Sequence, residues 1–238
     1  MSHLLTVVPS LIALPSDYDL NNKSKILFKD SDPGMTEFGN DTLIITTVPN
    51  HSLPNDEACE WIVNGSTKGK VLNAPGYPAR IPKPSRPDLF EVRSTLDMGV
   101  GLFAKRNIKR GDLILAERPL LVSPRAVSSL SQGPERSNYT TRQFQQVVMF
   151  EYESMLEKVI ERLSRGNQAA FRALHNAHTG DGSGPLLGII RSNGYGIGNL
   201  YDGSDSSDTT SCYGAVCKIG SRINHRCVSL MLSSDYND

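Results

Sequence analysis

Five prolines within thirteen positions, Pro75, Pro78, Pro82, Pro84 and Pro87, divide the chain. Each fixes its own φ at about −65° and removes a backbone donor, so the stretch cannot run through a helix or the middle of a sheet. It reads as a stiff extended spacer. Ahead of it the apolar residues come in short, isolated groups: Leu4–Leu14, Ile26–Phe28, Leu43–Ile45 and Trp61–Val63. Polar and Pro/Gly segments separate them. A segment patterned this way buries little. Residues 1–87 are therefore expected to form an N-terminal extension, mostly irregular or disordered. A strand or two, for example 42–48, could instead pair with the edge of the folded unit, which is expected over residues 88–238.

Beyond residue 88 the pattern tightens. Leu89–Arg93 and Leu102–Ala104 read as strands on either side of Gly99-Val100-Gly101, and Leu113–Glu117 as a third, entered through Gly111. Short apolar runs parted by Gly turns indicate a β-rich module. Residues 138–178 differ. Thr140 with Gln143 three positions on fits a capping box. Phe144, Val147, Val148, Met155, Val159, Ile160 and Leu163 then recur at helical spacing, the stripe of a core-facing helix. Gly166 is expected to end it in a left-handed conformation, with a shorter helix over 168–175. Leu186–Ile190 reads as a return to strand, ahead of the Gly-rich NGYGIG at 193–198, and 215–219 as a last short strand. The fold class is α+β and β-rich.

Charge narrows the partners. The 25 basic and 25 acidic residues balance, so no net field gathers nucleic acid or anionic lipid. Lys105-Arg106 with Lys109-Arg110 is the one local basic group worth noting. Leu4–Leu14 imitates a signal-peptide core but lacks a preceding Lys or Arg, contains Pro9 and has no small-residue cleavage site. No apolar run is long enough to span a bilayer, and no membrane partner is expected. Cysteines at 59, 212, 217 and 227 are too sparse for a disulfide framework, which points to a reducing compartment, nuclear or cytoplasmic. The sequons at Asn64 and Asn138 then carry no weight. Asp202, Asp205 and Asp208 lack the order and the closing Glu of a calcium loop.

MGVGLFAKRNIKRGDLILAERPLL, residues 98–121, resembles the opening of a SET domain. Gly99, Gly101, Leu102-Phe103-Ala104, Ile108, Gly111, Glu117 and Pro119 occupy the positions of that pattern. SRINHRC, residues 221–227, resembles the second SET signature, and IIRSNGYGI between them is similar to the SET-and-MYND branch. The resemblance covers 88 to about 228 and implies a SET-type fold of small β-sheets with a helical insert at about 138–178. It implies transfer of a methyl group from S-adenosyl-L-methionine to a lysine of a protein substrate, histone or non-histone. Gly99, Val100, Gly101 and Leu102 would contact the cofactor, the glycines allowing close backbone approach. Asn224 would meet its amino-acid end, and the His225 backbone its adenine. Outside the resemblance, Gly99-x-Gly101 is an ordinary hairpin turn and His225 an ordinary core histidine. As a dinucleotide fingerprint the pair fails, because Ala104 stands where the third glycine belongs.

The resemblance implies no metal. The dense Cys/His cluster of a MYND finger is missing between the two signatures, and Cys212 with Cys217 is too few for structural zinc. Cys227 reads as a small packing residue or free thiol. Two departures mark the second signature. Arg226 replaces the usual Ser, and Ser229-Leu230 stand where Pro-Asn is usual. In the family a further tail carries the active-site tyrosine. Here the sequence stops eleven residues after Cys227, and Tyr236 is too close to His225 for that role. A SET domain incomplete at its C-terminus, with little or no turnover and no assigned catalytic residue, is the resulting expectation. A non-catalytic SET-like binding protein is the alternative.

Overall fold

A computed structural model of the chain describes residues 14, 18, 29–30, 43–49, 58–86, 88–96, 99–125, 139–197 and 213–223. They form a mixed α+β structure. In chain order the elements are β1 (Lys29–Asp30), β2 (Leu43–Val48), β3 (Cys59–Asn64), α1 (Gly65–Leu72), β4 (Phe90–Ser94), β5 (Val100–Ala104), β6 (Leu121–Pro124), α2 (Thr141–Arg162), α3 (Arg165–Arg172), α4 (Pro185–Asn193), β7 (Tyr195–Ile197), β8 (Tyr213–Val216) and a 3-10 turn, Gly220–Arg222. Six strands make one sheet in the order β1-β2-β3-β6-β8-β7, and β4 and β5 make a separate hairpin.

The sheet crosses the expected boundary at residue 88. β3 pairs in parallel with β6, Glu60 opposite Leu121 and Trp61 opposite Val122, and antiparallel with β2 along all six residues. Ile44, Ile62 and Val63 are fully buried. The described residues 43–48 and 59–64 are thus strands of the main sheet, with α1 packed beside β3, rather than an irregular extension. Their apolar groups are short because each strand has only six residues, and in β3 the neighbouring side chains of Ile62 and Val63 are buried on opposite faces. The proline stretch between them and the rest is irregular but not loose. Arg118 donates to the Ala79 carbonyl at 2.6 Å, and Arg86 pairs with Asp112.

Alternation sorts the sheet into two faces. Ile45, Ile62, Leu121 and Val216 face a core built with Met155, Leu156, Val159 and Ile160 of α2, Phe171 of α3, and Leu186 and Leu187 of α4. Cys59, Val63, Val122, Tyr213 and Ala215 face the other way. On the helical face, buried Glu60 accepts from Arg162 Nε at 2.8 Å and from the Thr47 hydroxyl at 2.7 Å. This pins the end of α2 to β2 and β3; removing either charge would strand its partner in a largely dry site. On the opposite face the Tyr213 hydroxyl meets Thr67 Oγ1 at 3.2 Å, at the start of α1. The Asn64 side chain caps that helix by accepting from Thr67 N at 3.0 Å, so the sequon asparagine is engaged in holding the fold.

The helices confirm the long stripe and correct its neighbours. Thr140 and Gln143 form the reciprocal capping box. The next helix begins earlier than expected, because Ser164 caps it by accepting from Asn167 N at 3.3 Å. Gly166 therefore lies in its first turn, and it is not among the glycines with positive φ. Residues 186–190 are helix, not strand. Leu-Leu and Ile-Ile suggested a buried strand, but Pro185 suits the first helical position. The amides of Leu186 and Leu187 find their acceptor in Glu153 of α2, at 2.8 and 2.7 Å. Gly184 makes room for that carboxylate, since an added Cβ would lie 2.2 Å from the Glu153 side chain. Residues 113–117 form no strand; Leu113 and Ile114 are exposed, and the pairing begins at Leu121.

Because β6 depends on β3, a fragment spanning 88–238 is expected to show no cooperative thermal unfolding, whereas one spanning 40–238 melts near the full chain. Within the full chain, Ile62→Ala is expected to cost about 3 kcal/mol in denaturant unfolding. Cooperative folding of 88–238 at full-chain stability would contradict this arrangement.

Candidate functional site

The first motif lies on the β4–β5 hairpin. Its turn needs a positive φ at Gly99, which is +71°. The Gly99 carbonyl is held by Thr95, which donates through its backbone N–H at 2.6 Å and its hydroxyl at 2.8 Å. Gly101 is buried and opposes Arg93, whose guanidinium lies 3.9 Å over the Phe103 ring. Among the described residues, nothing lies within 4 Å of a Cβ added at Gly99. Val92, Val100 and Leu96 are exposed along the same hairpin. A backbone turn with one uncluttered side admits close approach by another molecule.

The 3-10 turn Gly220–Arg222 lies against β5. It leads through Ile223, which is exposed, to Asn224 and His225. Asn224, His225, Arg226, Cys227 and the acidic loop 201–211 lie outside the described residues. The turn itself is clamped from three directions. Glu117 accepts from the backbone N–H groups of Ile219, at 3.1 Å, and Gly220, 103 positions away in sequence. Tyr195 donates its hydroxyl to the Gly220 carbonyl at 2.7 Å. Ser221 accepts from Cys217 N at 2.9 Å and donates to the Asn193 carbonyl at 3.1 Å. Room at 220 is tight, since a Cβ there would sit 3.1 Å from Glu117 Oε1 and 3.3 Å from Cys217 Cβ.

The sequence pattern singled out Glu117 only as an acidic position before a proline; its use as a bracket for the second motif was not legible. Nor were the parts played by Tyr195 and Ser221. The local signal for Tyr195 was its place in the NGYGIG stretch beside Gly194 and Gly196.

The thiols near the site are in their neutral form at physiological pH. Burial pushes Cys217 up to about 12, with the Glu117 charge adding to it. Burial also holds Cys59 well above the usual thiol range. Neither thiol is poised as a nucleophile. Among the described residues no group of His, Cys, Asp or Glu is arranged to hold a metal ion, and no helix is long and apolar enough to cross a membrane.

No family model, no curated protein and no solved structure matches this chain.

Glu117→Ala removes two charge-assisted hydrogen bonds to a half-buried turn. It is expected to lower stability by about 2 kcal/mol. The amides of Ile219 and Gly220 are expected to exchange with solvent at least tenfold faster than in the parent. Unchanged exchange at both amides would show that the carboxylate does not hold the turn.

Proposed function

We propose that the chain binds S-adenosyl-L-methionine in the manner of a SET domain and directs its methyl group to a lysine side chain of a protein substrate. One observation carries this reading. The hairpin bearing Gly99–Leu102 lies against the turn that leads into Asn224 and His225, although the two motifs are far apart in sequence. The resemblance gives both segments to one cofactor, and Glu117, from the same 98–121 stretch as the first motif, holds the turn through the amides of Ile219 and Gly220.

In this reading Gly99, Val100, Gly101 and Leu102 offer backbone to the cofactor, with the open side of Gly99 as the point of approach. By the resemblance, Asn224 would meet the amino-acid end of the cofactor and the His225 backbone its adenine. When bound, the cofactor supplies an electrophilic methyl carbon. The protein's share is to hold the reactants in line and exclude water. Histone and non-histone proteins are both substrates of the expected class.

A second reading, a SET-like module that binds without turnover, is favoured by the duties of the titratable groups around the turn. Glu117 is committed to two backbone amides, Tyr195 to the Gly220 carbonyl, and the Cys217 thiol stays protonated. None of these is available as a proton acceptor for an amine.

Calorimetric titration of the full chain with S-adenosyl-L-methionine tests the shared part of both readings. Binding is expected, and Gly99→Val should weaken it at least tenfold. A β-branched residue is strained at that positive φ, and it also fills the open side. Gly111→Val introduces similar strain at φ +87° in a turn outside the expected contacts, and should leave binding unchanged. Absence of binding by the parent chain would sink the proposal. Methyl transfer to mixed histones or to lysate proteins then separates the first reading from the second.

A further inference from the structure

On its helical face the sheet changes from large to small residues over two positions. Leu121 of β6 faces across to Val216 of β8, but the next pair on the same face is Ser123 opposite Gly214, and β7 adds Gly196 beside Gly214. Small side chains here leave a cleft of about 310 Å³ beneath the C-terminal half of α4. This is within the size range of small-molecule sites. Part of its wall is apolar, from Leu187 and Ile190 of α4 and the Tyr152 ring. Tyr152 is fixed there by donating its hydroxyl to the Pro124 carbonyl at 2.9 Å.

The rim is cationic. Arg125 leaves the end of β6 and lies along the bare strand pair. An added Cβ on Gly196 would sit 3.4 Å from its Nη1, and one on Gly214 would sit 3.4 Å from its Cγ. Arg191 and His178 stand in the same lining. Both turn to one carboxylate oxygen. Arg191 Nη1 donates to Asp181 Oδ2 at 2.7 Å and to the Ser183 hydroxyl at 2.6 Å, and His178 Nδ1 lies 2.7 Å from the same Oδ2. Burial would raise the Asp181 carboxyl, but hydrogen bonds from His178 and Ser183, with the Arg191 charge, outweigh it and hold the group well below the usual carboxylate range. Asp181 is therefore a fixed anion that compensates one guanidinium. Arg125 has no hydrogen-bond or ion-pair partner among the described residues. Two guanidinium charges against one carboxylate leave an excess of +1 at the mouth of a cleft with one apolar side.

We propose that this cleft binds a small molecule with an anionic head, carboxylate or phosphate, on an apolar stem. The head pairs with the Arg125 guanidinium, whose planar fork suits either group. Arg191, already oriented by Asp181, lends further positive potential. The stem lies against Leu187 and Ile190. None of these residues belongs to the expected cofactor contacts, so the site stands or falls independently of the methyltransferase reading.

Titrating the full-length, isotopically labelled chain with benzoate, phenyl phosphate and neutral benzamide, read by backbone amide shifts, tests the assignment. The two anions are expected to shift Gly194, Gly196 and Gly214 in a saturable way, benzamide much less, and Arg125→Ala should weaken the anions about tenfold or more. The tighter of the two anions identifies the preferred head. Arg125 is solvent-facing, so its loss leaves the fold intact, and an unchanged parent spectrum outside the cleft verifies this. Saturable shifts by benzamide equal to those of benzoate, undiminished binding to the Arg125→Ala chain, or no saturable shift with either anion would overturn the proposal.

Discussion

The parallel pairing of β3 with β6 is the contact on which the rest of the structure depends. β6 has only four residues, all buried, and it joins two halves of the sheet that are otherwise remote in sequence. On one side it takes Glu60 and Trp61; on the other it runs antiparallel to β8, Leu121 opposite Val216 and Pro124 opposite Tyr213. Parallel neighbours cannot be joined by a tight turn. The connection from β3 to β6 accordingly carries α1, the proline stretch, the β4–β5 hairpin and the Glu117 segment. The hairpin of the first motif is thus an excursion between two adjacent strands of the main sheet. Its position is set by where β3 and β6 begin and end.

The same dependence explains which parts of the fold were legible in the sequence. α2 could be read because a long helix repeats its signal: a capping box at Thr140 and an apolar stripe that continues for several turns. β2 and β3 could not be weighed correctly, since six-residue strands covered on both faces look like stray apolar groups until a partner is known. The proline run was a true break in regular structure but a poor guide to a domain boundary. Arg86 and Arg118 tie it down through contacts that no local pattern reveals. α4 was misread for a related reason. Its apolar residues suit either a buried strand or a buried helix, and the deciding group, Glu153, comes from α2.

At the candidate site, the glycines of the first motif could be read as a hairpin turn from the chain alone, and the turn is there with the positive φ that requires Gly99. What the sequence could not supply was the means of bringing that hairpin to the second motif. Glu117 bridges the 103 positions to Gly220 through backbone amides, and such bonds leave no mark on the residue types at 219 and 220 beyond the tight space at 220. Tyr195 and Ser221 complete the clamp in the same way, through backbone carbonyls and amides. The cationic cleft was equally hidden. It arises from a register that sets Ser123 opposite Gly214 and Gly214 opposite Gly196, which is a property of pairing rather than of any one segment.

The claim that both motifs serve one cofactor is open to direct measurement. The labelled chain can be titrated with S-adenosyl-L-homocysteine, the demethylated form of the cofactor, while backbone amide shifts are followed. The account predicts saturable shifts at Gly99–Leu102 and, at the same concentrations, at residues 219–225. Shifts at only one of these segments, shifts confined to the Arg125 cleft, or none at saturating ligand would contradict it.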